Sequence, residues 1–525
     1  MIQSITGLVA KTRMTPPAVF ALDLNCAIYH CVKRLQDRFP FAPDQRLQWE
    51  TRLIETVLAY IKQMTVIVAP TTATYIAVDG VAPMAKIKQQ RMRRFKSAVA
   101  AEEEAQIRAA ASRVAYVAKP RWDTNAITPG TAFMGALGSA LRAYAAAAPA
   151  GRVVVSPADE AGEGEQKIMA WLRSVKPASA VVYGLDADLI VLALHMNATT
   201  ETQVDLFREE LEFGGAGGIK TTLDVEQFLY MDMARLGDVL FDAWGRDGST
   251  KPAFLCDFIA LMNLLGNDFV PHGMGLKIRD EGIETLLGLY KHTLKAPLLS
   301  GPSVYNRAGL VELFTHLTPL ESAAIQRSVK KKLDSRIGGS ARGGPEEIAL
   351  AEYNDLPVRW AADACLLRAD GSLKPDWATV YDREALSGAD VKKAGEAYLD
   401  ALAWTLAYYA GEPVDLWWYY PWFHPPRAAT IKAVLEAADT PLVAPKTRRS
   451  PLTPVEQLAM VLPTRSFHLL PAECAKLPAA HPYAWPHTWG LHSFGRRFLW
   501  ECEPLIPLIQ PAQMKNWLEE VYEAS

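Results

Sequence analysis

Ala18-Val19-Phe20-Ala21-Leu22-Asp23 is a short apolar run that ends on a carboxylate. The pattern returns twice, at residues 73–79 (ATYIAVD, ending on Asp79) and 179–186 (SAVVYGLD, ending on Asp186). Apolar runs of this length suit strands buried on both faces of a parallel sheet. Helical patterns lie between them, over residues 45–65, 85–115, 131–147 and 164–175. Strand alternating with helix predicts a doubly wound α/β sheet. Its functional crevice lies outside the carboxyl ends of the strands, so three strand ends carrying Asp point into one crevice.

The chain has 525 residues, half of them hydrophobic and 22% charged, enough for a large core. Its 55 Lys plus Arg and 58 Asp plus Glu leave a net charge of −3. That excludes a globally basic coat, so a polyanionic partner has to meet a local basic patch. Six cysteines with no CxxC pair argue against a disulfide scaffold and a structural zinc site, and for reduced intracellular thiols. Lys11 and Arg13 interrupt the apolar start, which argues against a signal peptide. No run is long and apolar enough for a membrane span, so no membrane partner is expected.

Three segments are expected: an α/β region over 1–290, a linker with connecting helices over 291–380, and a helical region over 381–525. The last is aromatic- and proline-rich and is expected to pack on the first. The charged, Gly-rich stretch 328–347, with Lys330, Lys331 and Lys332, reads as an exposed linker. VDLFREELEF reads as the start of a hairpin. The glycines at 214, 215, 217 and 218 that follow it read as a flexible turn, because they lack GxGxxG spacing.

The first chemical constellation is acidic. Glu163 and Glu165 sit among glycines, as do Asp186 and Asp188, and Asp268 follows Gly266-Asn267. With Asp23 and Asp79 these make seven carboxylates at strand ends or tight turns. Taken singly, each reads as a cap. Together they form a cluster of like charge that is costly without cations. Hard divalent ions such as Mg²⁺ or Mn²⁺ take oxygen ligands of this kind, and two of them can clamp a phosphodiester hydrolysis.

The second constellation is basic. Lys86, Gln90, Arg93 and Arg94 fall at i, i+4, i+7 and i+8, one face of a helix beginning after Pro83. Arg forks, a Lys point charge and a helix start suit a terminal phosphate. The plainer alternative is a solvated face paired with Glu102, Glu103 and Glu104. The third constellation is aromatic: Trp417, Trp418, Tyr419, Tyr420 and Trp422 could stack a base, with Tyr29 as a second plate, or could belong to the core.

These motifs together resemble the eukaryotic 5′→3′ exoribonuclease (XRN) family. The resemblance runs through FALDLNCAIY (20–29), VDGVAPMAKIKQQRMRRF (78–95), WDTNAITPGTAFM (122–134), GEGEQKIM (162–169), YGLDADLI (183–190), FREE (207–210) and LGNDFVPH (265–272). It continues through Ile278-Arg279-Asp280, the Tyr-Tyr-Pro within residues 401–427, and PVEQLAMVLP (454–463). It implies a PIN/FEN-like, Rossmann-type, mostly parallel sheet with flanking helices, and a processive exonuclease. Such an enzyme degrades 5′-monophosphorylated single-stranded RNA to nucleoside 5′-monophosphates. The metal ligands would be Asp23, Asp79, Glu163, Glu165, Asp186, Asp188 and Asp268, holding Mg²⁺ or Mn²⁺, two ions in all.

The 5′-phosphate pocket would be Lys86, Gln90, Arg93 and Arg94. The base would stack between Tyr29, at the family's His position, and Trp418, with Trp417 as the alternative. Cys26 stands where the family has Gly, and the start MIQSITGLVAK departs from the family's opening. A minimal catalytic core is expected, monomeric and cytoplasmic, with the nucleus left open by the weak basic run at 446–449. Two rival readings are a flap- or PIN-type structure-specific nuclease and a catalytically silent RNA-binding relative. The basic quartet and Tyr-Tyr-Pro argue against the first, and the complete set of carboxylates against the second.

Overall fold

The computed structural model describes residues 8–112, 120–210, 228–339 and 341–523, with backbone alone at 212–213 and 219–220. Its centre is a seven-stranded sheet of β1 (Val9–Ala10), β2 (Val19–Asp23), β3 (Ala73–Ala77), β4 (Val153–Ser156), β5 (Ser179–Tyr183), β6 (Gln203–Glu209) and β7 (Phe228–Met231). The spatial order is β1-β7-β6-β5-β2-β3-β4. Strands β2 to β6 run parallel, whereas β7 and β1 close one edge antiparallel. The chain builds outward from β2 through β3 to β4, then crosses to β5 on the other side of β2. That reversal is the topological switch point, where such sheets open a crevice at the strand ends.

The strands are apolar throughout because both faces are covered. Phe20, Leu22, Ile76, Val181 and Tyr183 enter one core. Their neighbours Val19, Ala21, Tyr75, Ala77, Ala180 and Val182 enter the other. Alternate residues of a strand point to opposite faces, so one continuous run feeds two cores. Helices α1 (Leu24–Arg38), α2 (Arg46–Val68) and α4 (Ala132–Ala146) bury their apolar stripes in the first core. Helices α5 (Gly164–Val175) and α6 (Asp188–Thr199) bury theirs in the second.

Helix α3 (Met84–Ser112) joins the two halves of the chain. Arg91 is buried, and its guanidinium donates to the carbonyls of Met460 (2.6 Å), Pro507 (3.0 Å) and Ala484. Lys88 Nζ donates to the Tyr420 carbonyl at 2.6 Å. The helix Val391–Ala410 lies in the second core, with Trp404, Tyr408 and Tyr409 buried. The helix Pro454–Val461 begins with a capping box between Thr453 and Glu456 and lies in the first core. The aromatic, proline-rich region therefore packs on the sheet's helices.

One local expectation is corrected in part and one is met. Residues 328–347 are a loop only in their middle: the helix Arg307–Leu333 covers their start and Pro345–Asn354 their end, with largely exposed turns at 334–339 and 341–344 between them. Lys332 is buried in an ion pair with Asp363 at 2.9 Å, and Lys331 pairs with Asp280 at 2.7 Å. Lys332 is thus spent on a buried partner far away in sequence, while Lys330 and Lys331 stay exposed. VDLFREELEF does open a hairpin: its first part is β6, which pairs antiparallel with β7 on one side and parallel with β5 on the other. A short pairing of 212–213 with 219–220 follows it. The glycine turn at 214–218 lies outside the described residues. All six cysteines are free thiols. Among the described residues no helix is long and apolar enough to cross a membrane.

Candidate active site

Asp23 ends β2, while Asp79 and Asp186 lie in the turns that follow β3 and β5. Glu163 stands at the N-terminal boundary of α5 with its side chain making no capping bond, Glu165 lies in the first turn, and Asp188 opens α6. Helix starts favour carboxylates, because unpaired N–H groups and the helix dipole point at them. Gly164 N–H donates to Asp79 Oδ1 at 2.7 Å. A Cβ at Gly164 would stand 2.7 Å from Asp23 Oδ1 and 3.3 Å from Asp79 Oδ1. Only glycine lets the carboxylates close around this turn. Asn25 fixes Asp79 from the other side, donating to its Oδ2 at 2.8 Å.

These carboxylates line a cavity of about 400 Å³ together with Asp268, Lys86, Gln90, Arg93, Arg94 and Tyr29. Lys86 lies between the signs: its ammonium is 2.8 Å from Glu163 and 2.8 Å from Asp268. Gln89 also approaches Asp268, at 3.5 Å. Tyr408 donates to Glu163 Oε1 at 2.8 Å from behind. Gln457 accepts from Ala82 N–H at 2.8 Å and donates to Gln90 Oε1 at 3.4 Å, which orients the Gln90 amide. Arg94 carries a buried Nη1 with no hydrogen-bond partner among the described residues.

The electrostatics follow from this crowding. Burial, then the charges of Asp79 and Asp186, push the Asp23 carboxyl well above the usual range. Burial likewise raises Glu165 well up, and takes Asp188 to about 6 with Asp268 adding to it. Burial works against the Lys86 ammonium, but Glu163, Asp268 and Glu165 together outweigh it and hold its pKa well up. The cavity is therefore an acidic bowl with a basic rim, built from both ends of the chain.

Residues 5–210 match the family model described as the XRN 5′-3′ exonuclease N-terminus, and residues 379–524 match the one described as the Xrn1 helical domain. The chain is 25% identical to the 5′-3′ exoribonuclease 2 of Gallus gallus, over 95% of its own length and 65% of the relative's. It is 27% identical to the 5′-3′ exoribonuclease 1 of Homo sapiens, over 95% of this chain and 32% of that one. Against the 5′-3′ exoribonuclease 2 of Schizosaccharomyces pombe it is 34% identical, over 52% of this chain and 31% of that one. The chain belongs to the 5′→3′ exoribonuclease (XRN) family. It spans less than two thirds of the length of these relatives.

The XRN N-terminal match contains the sheet core and six of the seven carboxylates, and the helical match contains Tyr408 and Gln457. Asp268 lies between the two. XRN enzymes work with divalent metal, and the residues here fit such an ion. Asp23 Oδ1 and Glu165 Oε1 are buried without a hydrogen-bond partner. Orphaned carboxylate oxygens are costly, and a hard cation satisfies them. Asp79, Glu163 and Asp268 already accept protein hydrogen bonds.

The candidate aromatic plates have different surroundings. Tyr29 lines the cavity and is 45% exposed. Trp418 is half-buried and stacks on Trp404 at 5.6 Å, and Trp404 stacks on Tyr408 at 4.8 Å, so one face of the Trp418 indole is covered by the core. Trp417 donates to the Ser450 carbonyl at 3.1 Å under Arg449 and Lys515. Neither lines the acidic cavity. Tyr419, Trp422 and Phe423 line an adjoining groove that shares Gln89, Arg93 and Asp268 with it.

Sequence reasoning missed Asn25, Gln89, Tyr408 and Gln457. Asn25, two residues after Asp23, and Tyr408, in a Tyr-Tyr pair, carried a readable signal. Gln457 carried none outside the PVEQL motif. Cys26 also lines the cavity; burial, with Asp23 and Asp186 beside it, pushes its thiol well up.

Proposed function

We propose that this chain is a processive 5′→3′ exoribonuclease that hydrolyses 5′-monophosphorylated single-stranded RNA to nucleoside 5′-monophosphates. One observation carries the reading: seven carboxylates and the four-residue basic face line a single cavity at the carboxyl end of the sheet. Arg93 and Arg94 take the terminal phosphate with fork geometry, and Arg94 has a buried donor nitrogen free for it. The Gln90 amide, held by Gln457, donates beside them. Tyr29 offers its ring to the first base. Lys86, the fourth member of that basic face, also keeps Glu163 and Asp268 together and adds positive charge to the 5′-phosphate pocket.

Asp23, Glu165, Asp186 and Asp188 are the carboxylates we assign to holding Mg²⁺ or Mn²⁺, with Asp79, Glu163 and Asp268 completing the set for two ions. Bound there, such ions lower the pKa of water and neutralise charge on the leaving 3′-oxygen.

The test is a time course on 3′-labelled single-stranded RNA in Mg²⁺, with matched 5′-monophosphate and 5′-triphosphate ends. Release of mononucleotides from the monophosphate RNA alone, abolished in Asp186→Ala, supports the reading. Equal attack on both ends sinks the phosphate assignment. RNA binding without turnover in Mg²⁺ or Mn²⁺ makes the chain a silent relative.

A further inference from the structure

Cys26 is unlike the other five cysteines. A ligand atom each from Cys26, Asp23 and Asp186 lies within 4.8 Å of the others, the only such group of metal-ligating side chains among the described residues. Asp23 supplies an independent sign that this corner is built for a ligand. It is 5% exposed, it lines the cavity, and its Oδ1 has no hydrogen-bond partner. Asp186 is exposed at the mouth, so its carboxylate can rotate onto an ion without moving the core. Two carboxylate oxygens, one sulfur and access for water make three protein ligands plus an open position. That is the donor count of zinc sites that keep a water.

We propose that Cys26, Asp23 and Asp186 form a mixed sulfur–oxygen site that takes a borderline-soft divalent cation, with Zn²⁺ as its representative. A hard ion such as Mg²⁺ gains nothing from a thiol. Zn²⁺ gains a thiolate bond and stands above Mg²⁺ in affinity for nitrogen and sulfur ligands. As the metal–sulfur bond forms, the thiol proton leaves to solvent. The site shares Asp23 and Asp186 with the carboxylate set proposed for catalysis, so Zn²⁺ there competes with the hard ions. The inference needs only that this corner binds a divalent cation, and its readout does not involve RNA.

The experiment is zinc K-edge absorption on the full-length chain with one equivalent of Zn²⁺, in Mg²⁺ buffer. The expected result is one sulfur scatterer at about 2.3 Å with oxygens at about 2.0–2.2 Å, the sulfur disappearing in Cys26→Ser. The wild-type spectrum alone tests the proposal should that variant fold poorly, and its unfolding curve reports whether it does. An oxygen- and nitrogen-only shell in the wild type overturns the proposal. So does a sulfur shell that persists in folded Cys26→Ser, or a chain that leaves Zn²⁺ in solution. Loss of Mg²⁺-dependent RNA turnover would count against the proposed function and leave this result standing.

Discussion

Helix α3 carries one basic run with two fates. On the face toward the C-terminal region, Arg91 places its guanidinium on three backbone carbonyls, and Lys96 donates to the carbonyls of Trp500 and Cys502, each at 2.8 Å. On the face toward the crevice, Lys86 meets carboxylates and Arg94 keeps a buried nitrogen without a partner. Burial lowers both arginines, Arg91 to about 9 and Arg94 to about 10, so desolvation does not separate them. The partners do. A buried cation whose three nitrogens each meet a protein carbonyl is architecture. One left with an open donor beside an acidic cavity is poised for an anion.

That contrast can be broken in four ways. The largest effect belongs to Arg91→Ala, which leaves three buried carbonyls unpaired. It should cost about 3–5 kcal/mol, read as a fall in denaturation midpoint and as early proteolysis of the C-terminal region. An unchanged midpoint would mean that α3 does not hold the two halves together. Next is Lys86→Met, which leaves Glu163 and Asp268 without their counter-charge. The metal-free protein should lose about 3 kcal/mol, with much of it restored by Mg²⁺. Arg94→Ala should leave the unfolding midpoint unchanged or slightly raised. It should weaken selection of a 5′-monophosphate end about 10–100-fold in competition assays, the scale of hydrogen bonds to a charged group. A matching loss of stability would show that Arg94 is structural after all.

The smallest effect is in pH. The carboxyls of Asp23 and Glu165 are raised in the folded protein, and Asp188 is raised to about 6. The native state therefore binds protons that the unfolded state has released. The metal-free protein should gain stability as pH falls from about 7 toward 5, and lose it as pH rises through the folded pKa values. Saturating Mg²⁺ should flatten that slope. A slope of the opposite sign in the metal-free protein would refute the crowded-carboxylate account.

The sheet was legible because its signal is local. Apolar runs such as residues 18–23 and 179–183 have the length and composition of buried strands wherever they occur. The one-face spacing of Lys86, Gln90, Arg93 and Arg94 was legible because helix geometry fixes which side chains are neighbours. The ends of the charge run at 328–347 were misread because an exposed loop and a helix end with a buried ion pair have the same composition. The aromatic block was harder still. Which of its rings is exposed depends on residues such as Trp404, which lies on the helix Val391–Ala410 and covers one face of Trp418.

What the sequence determined by itself was the order of strands and helices, the carboxylates at strand ends and helix starts, and the polarity of the α3 face. Those follow from backbone geometry and the spacing of side chains. What only the tertiary structure decided was partnership: Lys332 with Asp363, Arg91 with carbonyls far along the chain, Tyr408 behind Glu163, and Cys26 beside Asp23 and Asp186. The energy of a buried charge, ring or thiol is set by the groups within a few ångströms of it. Those groups come from distant parts of the chain.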